Sequence, residues 1–415
     1  VKIVNILILS QNYFPEPDPM HTLGAGLVNC GHRVTVLTGF PNYPYGRIYP
    51  GYRQKLWQRE EIDGVRVIRL PLYPDRSRSF MKRSLNYLSF PISASILGPI
   101  LCGDADIMIV QSPPITLGIP AWVISLLRRI PFVFEIQDMW PETLPATGMV
   151  SNPLLLKSLA RLAMFTYTKA SAITVISPGF KRNLEDKGVP GEQIHVIYNW
   201  AYEEEFSLPK PDTQLAEKMG LNGRFNILYA GNMGPAQGLH NVIKAASLLT
   251  DIKELQFVLM GSGIERDKLK KMARERKLKN IKFLPRQPME MMPSVYALVD
   301  AVMVHLIDDP LFEITVPGKT QSCLLSGKPV IVSVNGDAAD LVVKAGAGLA
   351  VRAMDPVDLA HAVRKLYAMS PEERKAMGLA GRRYYFQNLA PEVQIKKYEQ
   401  LFYEIIKDRG VSVSC

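Results

Sequence analysis

At 415 residues the chain is longer than one ordinary domain and suits two of about 200 residues each. Apolar residues at 47% and charged residues at 21% exclude a disordered chain and fit a globular protein with real cores. The formal net charge of +10 points to an anionic partner: nucleic acid, a phosphate-bearing substrate or an acidic membrane surface.

The first half alternates short apolar strands with helical stretches. Val4–Leu9, His32–Thr38, Val65–Leu70, Ile107–Gln111, Phe132–Ile136 and Ala172–Ile176 have the near-continuous hydrophobicity of strands buried on both faces. Helical patterns such as Pro153–Lys169 separate several of them, and that rhythm argues a parallel α/β sheet. The opening residues read as a buried strand with no signal segment, so a cytoplasmic protein is expected. Cys30, Cys102, Cys323 and Cys415 include no CxxC or close pair, which fits a reducing compartment and no zinc site. Two apolar runs, Phe90–Cys102 and Ile115–Leu127, fall short of the 18 residues or so of a spanning helix. They read as core helices, with an in-plane membrane contact as the alternative.

Between Arg47 and Arg83 ten Lys/Arg stand against four acidic residues, interleaved with aromatics such as Tyr49, Trp57 and Tyr73. That mixture suits an acidic lipid interface or the pyrophosphate of a lipid carrier, with Arg76, Arg78, Lys82 and Arg83 as the membrane contact. Single-stranded nucleic acid is the other reading of the pattern. Further on, Gln137-Asp138-Met139-Trp140-Pro141-Glu142 lies at the carboxyl end of a strand, where side chains meet ligands. Asp138 is the candidate catalytic carboxylate, accepting a proton from an acceptor hydroxyl, or else a helix cap. Trp140 offers a face on which a sugar ring stacks. Asp104-Ala105-Asp106 matches a metal-binding D-x-D pattern but precedes a buried strand and reads as a turn; no essential metal is expected.

The pattern lapses over Glu203–Gly223, the best linker, and then restarts with strands at Asn226–Ala230, Gln256–Met260, Ile281–Leu284, Ala301–His305, Pro329–Val334 and Gly348–Val351. Pro391–Lys407 closes the chain as a long amphipathic helix. After the first of these strands, Gly231, Asn232, Gly234 and Gln237 form a glycine loop opening a helix, a seat for phosphate on backbone N–H groups. Gly261-Ser262-Gly263 has the same architecture, or is a plain turn. Thr315 and Lys319 flank Pro317-Gly318 before a short helix, where hydroxyl, ammonium and N–H groups converge on a diphosphate; Lys319 otherwise reads as a surface lysine.

These residues resemble glycosyltransferase family 4, of the GT-B fold, over essentially the whole chain. The likeness is carried by Ser10-Gln11-Asn12-Tyr13-Phe14-Pro15-Glu16-Pro17, by Gly31–Pro44, by Gln137–Glu142, by Val196–Trp200 and by Tyr229–Leu239. It points to the branch of WbuB-like fucosamine transferases in O-antigen and capsule assembly. The resemblance implies an acceptor domain at residues 1–205, a nucleotide-sugar domain at 206–385 with a cleft between them, and a last helix at 386–415 that crosses back. It implies donor contacts from the two glycine loops, Arg286, Gln287, Glu313, Thr315, Lys319 and Ser322, and acceptor contacts from Glu16, His21, Trp140, Glu142 and Asn199. Many relatives carry Arg and Lys where Asn232 and Gln237 stand, a Glu where Ser322 stands and a His where Gln137 stands. The implied reaction is retaining, metal-independent transfer from a nucleotide diphosphate, UDP-linked, to a polyprenyl-pyrophosphate-linked saccharide at the inner face of the plasma membrane, with no nucleic acid involved. An epimerase of the same fold and a non-catalytic binding protein remain the alternatives.

Overall fold

The structure is a computed structural model that describes residues 3–77, 79–146, 150, 152–201 and 209–408. The chain divides into two compact units, Val1–Tyr198 with Pro391–Cys415, and Asn199–Ala390. Each is a Rossmann-like α/β unit.

In the first unit the strands are β1 (Asn5–Leu9), β2 (Arg33–Gly39), β3 (Gln58–Ile62), β4 (Val65–Leu70), β5 (Ile107–Ser112), β6 (Phe132–Ile136), β7 (Ala172–Val175) and β8 (Ile194–Val196). They lie in the order β3-β4-β2-β1-β5-β6-β7-β8, parallel except for β3 on β4. Burial is complete along β5 and β6, as continuous apolar strands between helical layers require. The sheet changes winding direction between β1 and β5, which puts a ligand-binding crevice at their carboxyl ends. The final helix, Pro391–Asp408, packs on the helix Pro19–Asn29 of this same unit. Gly26 makes that contact possible, since a Cβ there would stand 2.3 Å from Ile395 Cδ1.

In the second unit β9 (Phe225–Asn232), β10 (Leu255–Ser262), β11 (Ile281–Leu284), β12 (Ala301–His305), β13 (Val330–Ser333) and β14 (Gly348–Val351) form a parallel sheet ordered β11-β10-β9-β12-β13-β14. Its winding reverses between β9 and β12. Ile227, Tyr229, Phe257, Leu259 and Met303 build the core on one face.

Several expectations are corrected. The charged strand β3 and the three-residue β8 lie where no apolar run marks a strand. The linker candidate Glu203–Gly223 falls partly outside the described residues, and its later part is a helix, Thr213–Met219, which Asp212 caps and left-handed Gly220 ends. The apolar run at Phe90 belongs to a longer helix, Phe80–Leu101. Within the basic stretch Arg69 is fully buried, donating to Glu60, Gly39 O and Phe14 O. It is a core residue, so the stretch is not one basic surface.

Candidate functional site

In the second unit the donor candidates gather at the carboxyl ends of neighbouring strands. β9 runs into Gly231–Gln237, β10 into Gly261–Gly263 and β11 into Arg286 and Gln287, while Glu313, Thr315 and Lys319 follow β12. The loop after β9 and the segment after β12 flank the point where the sheet reverses. Lys319 lies in the first turn of the helix Gly318–Leu325 and is half-buried, not a solvated surface lysine. Its Nζ donates to Tyr229 Oη at 2.7 Å and lies 4.3 Å from the centre of that ring. Tyr229 Oη donates in turn to Asn232 O at 2.6 Å, so one hydrogen-bond chain ties the ammonium to the glycine loop. Among the described residues Lys319 has no carboxylate partner. Burial pushes its ammonium down to about 8. A cation held this way stands ready for an anion.

The glycines serve close approach. A Cβ on Gly231 would lie 3.3 Å from Lys319 Nζ. Gly261, at φ +141°, would bring a Cβ to 1.9 Å from Gly231 O, because β9 and β10 remain paired through Gly231 and Gly261. Gly263 abuts the Met233 backbone in the same way. The second glycine loop is therefore a support for the first. Gly261→Ala is expected to lower the unfolding free energy of this unit by at least about 2 kcal/mol, read as a fall in its denaturation midpoint.

The amide seat expected at Gly234 is corrected. Met233 N donates to Ser262 O, and Gly234 N donates to Gln237 Oε1 at 3.0 Å. Asn232 Nδ2 shares that same acceptor. The Gln237 side chain folds back and occupies an N–H group that a phosphate would need, leaving Lys319 as the charge facing the loop. Thr315 lies two residues before the Pro317 cap, and its hydroxyl donates back to Leu311 O of the helix Pro310–Glu313. Glu313 and Arg286 are exposed, Ser322 sits within the helix Gly318–Leu325, and Gln287 bonds locally to Pro285 O. Tyr229 and His305 carry roles that sequence reading missed. His305 Nδ1–H donates to Gln237 O at 2.8 Å and Nε2 accepts from Asn241 Nδ2. Burial pushes this imidazole down to about 4 and keeps it neutral, pinning the loop from below. Its position as the last residue of β12 was the available signal.

In the first unit, Asp138 follows β6, and its carboxylate has no hydrogen-bond partner among the described residues. The cap reading therefore finds no bond to support it. Part of the residue reaches water, yet surrounding protein pushes the carboxyl up to about 6. Trp140 meets Tyr87 edge to face at 5.6 Å. Other acceptor candidates are already engaged. Glu16 is buried and accepts from the backbone N–H groups of Tyr13, Asn42 and Tyr43, so it clamps two loops. His21 bonds Asp63 at 2.8 Å, and Glu142 pairs with Lys187. Asn199 groups with the second unit. Asp104 and Asp106 lie in a connection, pairing with Arg128 and with Asn5. Among the described residues no group of three or more His, Cys, Asp or Glu is placed to hold a metal. Arg76 stacks on Tyr43 at 4.5 Å, Lys82 is exposed, Arg83 is half-buried, and Arg78 lies outside the described residues, as does Cys415.

A buried polar cluster adjoins Asp138. Glu135 Oε1 accepts from Tyr398 Oη at 2.7 Å and Gln137 Nε2 at 3.0 Å, while Oε2 has no partner among the described residues. Burial pushes this carboxyl up to about 7 from an ordinary 4.5. The folded state keeps the proton between those values where the unfolded chain loses it, so this contribution is full below 4.5 and lost as pH rises through 7. Glu135→Gln is accordingly expected to match the wild type at pH 5 and to exceed its stability at pH 8 by about 1–3 kcal/mol, measured by denaturant unfolding at both values.

Residues 20–200 match the model of the glycosyl transferase 4-like domain, and residues 212–384 match that of glycosyl transferases group 1. This chain is a glycosyltransferase of the GT-B fold. It is 28% identical over 314 residues to WcaI of Escherichia coli, a glycosyl transferase assigned to colanic acid biosynthesis, covering 72% of this chain and 76% of that one. Sucrose-phosphate synthase of Thermosynechococcus elongatus superposes with a TM-score of 0.71 at 18% identity, over 98% of this transferase and 100% of the synthase. HepE of Anabaena, solved with UDP-glucose, gives 0.70 at 16% identity over 97% and 100%. These structural likenesses speak for the fold.

Proposed function

We propose that this glycosyltransferase moves an aminosugar of the N-acetyl-fucosamine kind from a UDP-linked donor to a polyprenyl-pyrophosphate-linked saccharide, in the assembly of a bacterial surface polysaccharide. Transfer is retaining and independent of metal, and takes place at the cytoplasmic face of the plasma membrane. The observation that carries the donor half is Lys319, a half-buried ammonium beside the glycine loop with no carboxylate partner among the described residues. It neutralises the diphosphate as the sugar departs, and Asp138 receives the proton of the acceptor hydroxyl. HepE's complex with UDP-glucose supports a uridine donor, and WcaI's assignment to colanic acid supports a polysaccharide context such as O-antigen or capsule. No nucleic acid takes part.

The test is transfer from a panel of UDP-sugars to a polyprenyl-pyrophosphate-linked saccharide in EDTA, with the product's anomeric configuration read by NMR. A product that keeps the donor configuration supports the reading. An inverted product, a requirement for magnesium, or UDP release without a glycosylated acceptor contradicts it.

A further inference from the structure

The helix Phe80–Leu101 is apolar on faces that do not all find protein. One side packs against the sheet and the helix Gly118–Arg128, with Phe90 and Ala94 buried and a Cβ on Gly98 reaching to 2.7 Å from Ile124 Cδ1. The other side carries Met81, Leu85, Leu88, Ile92, Ile96 and Ile100, which are 44–75% exposed. Their three- and four-residue spacing sets them in one row along the helix, about 28 Å from end to end at 1.5 Å per residue. A soluble surface helix has polar residues in that position. This one is long and apolar enough to cross a membrane, but its packed side fixes it along the face of the sheet.

The row continues sideways. The helix Gly118–Arg128 packs beside it and in turn touches the helix Pro153–Lys169. Leu126 and Leu127 are exposed on the first of these helices, and Leu154 and Phe165 on the second. The three helices contain no Asp or Glu, while Lys82, Arg83, Arg128, Lys157, Arg161 and Lys169 belong to them, Arg128 paired with Asp104. Apolar side chains on one surface, bordered by cations that except for Arg128 have no carboxylate partner among the described residues, describe an in-plane contact with anionic lipid. A second copy of the chain would bring those cations against their like.

We infer that the outer face of the helices Phe80–Leu101, Gly118–Arg128 and Pro153–Lys169 docks the first unit on an anionic bilayer, with the Met81–Ile100 row immersed at the level of the headgroup–acyl boundary. Arg76 and Lys82 alone would give a salt-sensitive surface contact; the apolar row makes the binding persist in salt. This deepens the lipid-linked reading of the acceptor and rests on it only for its biological sense. The surface itself is independent of the donor site, and the two are measured separately.

Co-sedimentation of the full chain with phosphatidylglycerol-rich vesicles, at low and at 0.5 M salt, tests the docking. The wild type is expected to bind these vesicles at both salts, and phosphatidylcholine vesicles at least tenfold more weakly. Ile92→Ser/Ile96→Ser/Ile100→Ser is expected to lower partition at least tenfold, with unchanged circular dichroism and unchanged UDP affinity. Lys157→Gln/Arg161→Gln, on a different helix, is expected to lower it severalfold at low salt and guards against a folding artefact in the triple variant. Absence of wild-type binding, or binding indifferent to the triple serine variant, overturns the proposal. So does self-association in light scattering that the triple variant abolishes while vesicles go unbound, which would make a second copy the occupant.

Discussion

Replacing Lys319 with methionine is expected to weaken UDP binding about 10- to 100-fold, the loss that follows from removing a charge-assisted contact of about 1.5–3 kcal/mol. The same variant is expected to raise the melting midpoint of the ligand-free protein by about 2–4 °C, since it removes a charge that burial disfavours and that no carboxylate among the described residues offsets. The two changes in opposite directions distinguish a ligand-binding lysine from a structural one, whose loss would lower both. The pH dependence follows from the depressed ammonium. In the free protein Lys319 holds its proton below about 8 and loses it as pH rises through that value. A diphosphate favours the charged form, so affinity is full below 8 and falls by up to tenfold per unit above it. Lys319→Arg, whose guanidinium stays charged, is expected to bind with no such decline, and isothermal titration at pH 7 and pH 9 reads both effects.

Asp138→Asn is expected to cut the rate of sugar transfer about 100- to 10,000-fold while leaving UDP affinity within about twofold, as removal of a general base does. The carboxyl must be ionised to accept a proton. Because its surroundings hold it up to about 6, wild-type turnover is expected to fall as pH drops through that value, and the residual activity of the variant is expected to lack this limb. A pH–rate profile of kcat for both proteins makes the comparison. A loss of less than about threefold would pass the proton to the donor phosphate or to a backbone group.

Much of the scaffold was legible because parallel strands buried on both faces leave continuous apolar runs. Strands β4, β6, β11, β12 and β14 occupy the residues that those runs mark. Strand β3, with the sequence Gln-Arg-Glu-Glu-Ile, left no such mark: it is an edge strand whose pairing with β4 supplies backbone bonds without burial. The position of Lys319 was legible from turn chemistry, since Pro317 and Gly318 open the helix Gly318–Leu325, whereas β9 runs on through Gly231 and the loop starts only after Asn232. The state of the loop was not. Gln237 takes the Gly234 N–H and Tyr229 takes Asn232 O, each over three residues, but His305 holding Gln237 O and Lys319 holding Tyr229 Oη join residues 68 and 90 positions apart. Glu16 shows the same limit in the first unit. A carboxylate in a motif resembling an acceptor loop turned out to spend both oxygens on three backbone N–H groups. Tyr398, 263 residues from Glu135, could not be linked to it by any local pattern.

The most direct measurement is an isothermal titration of the full chain with UDP in EDTA, set beside Lys319→Met. Saturable one-site binding by the wild type without divalent metal, weakened at least tenfold in the variant, is the result expected of a diphosphate site at the β9–β12 switch point. No binding of UDP in EDTA, or equal binding by the two proteins, would contradict it.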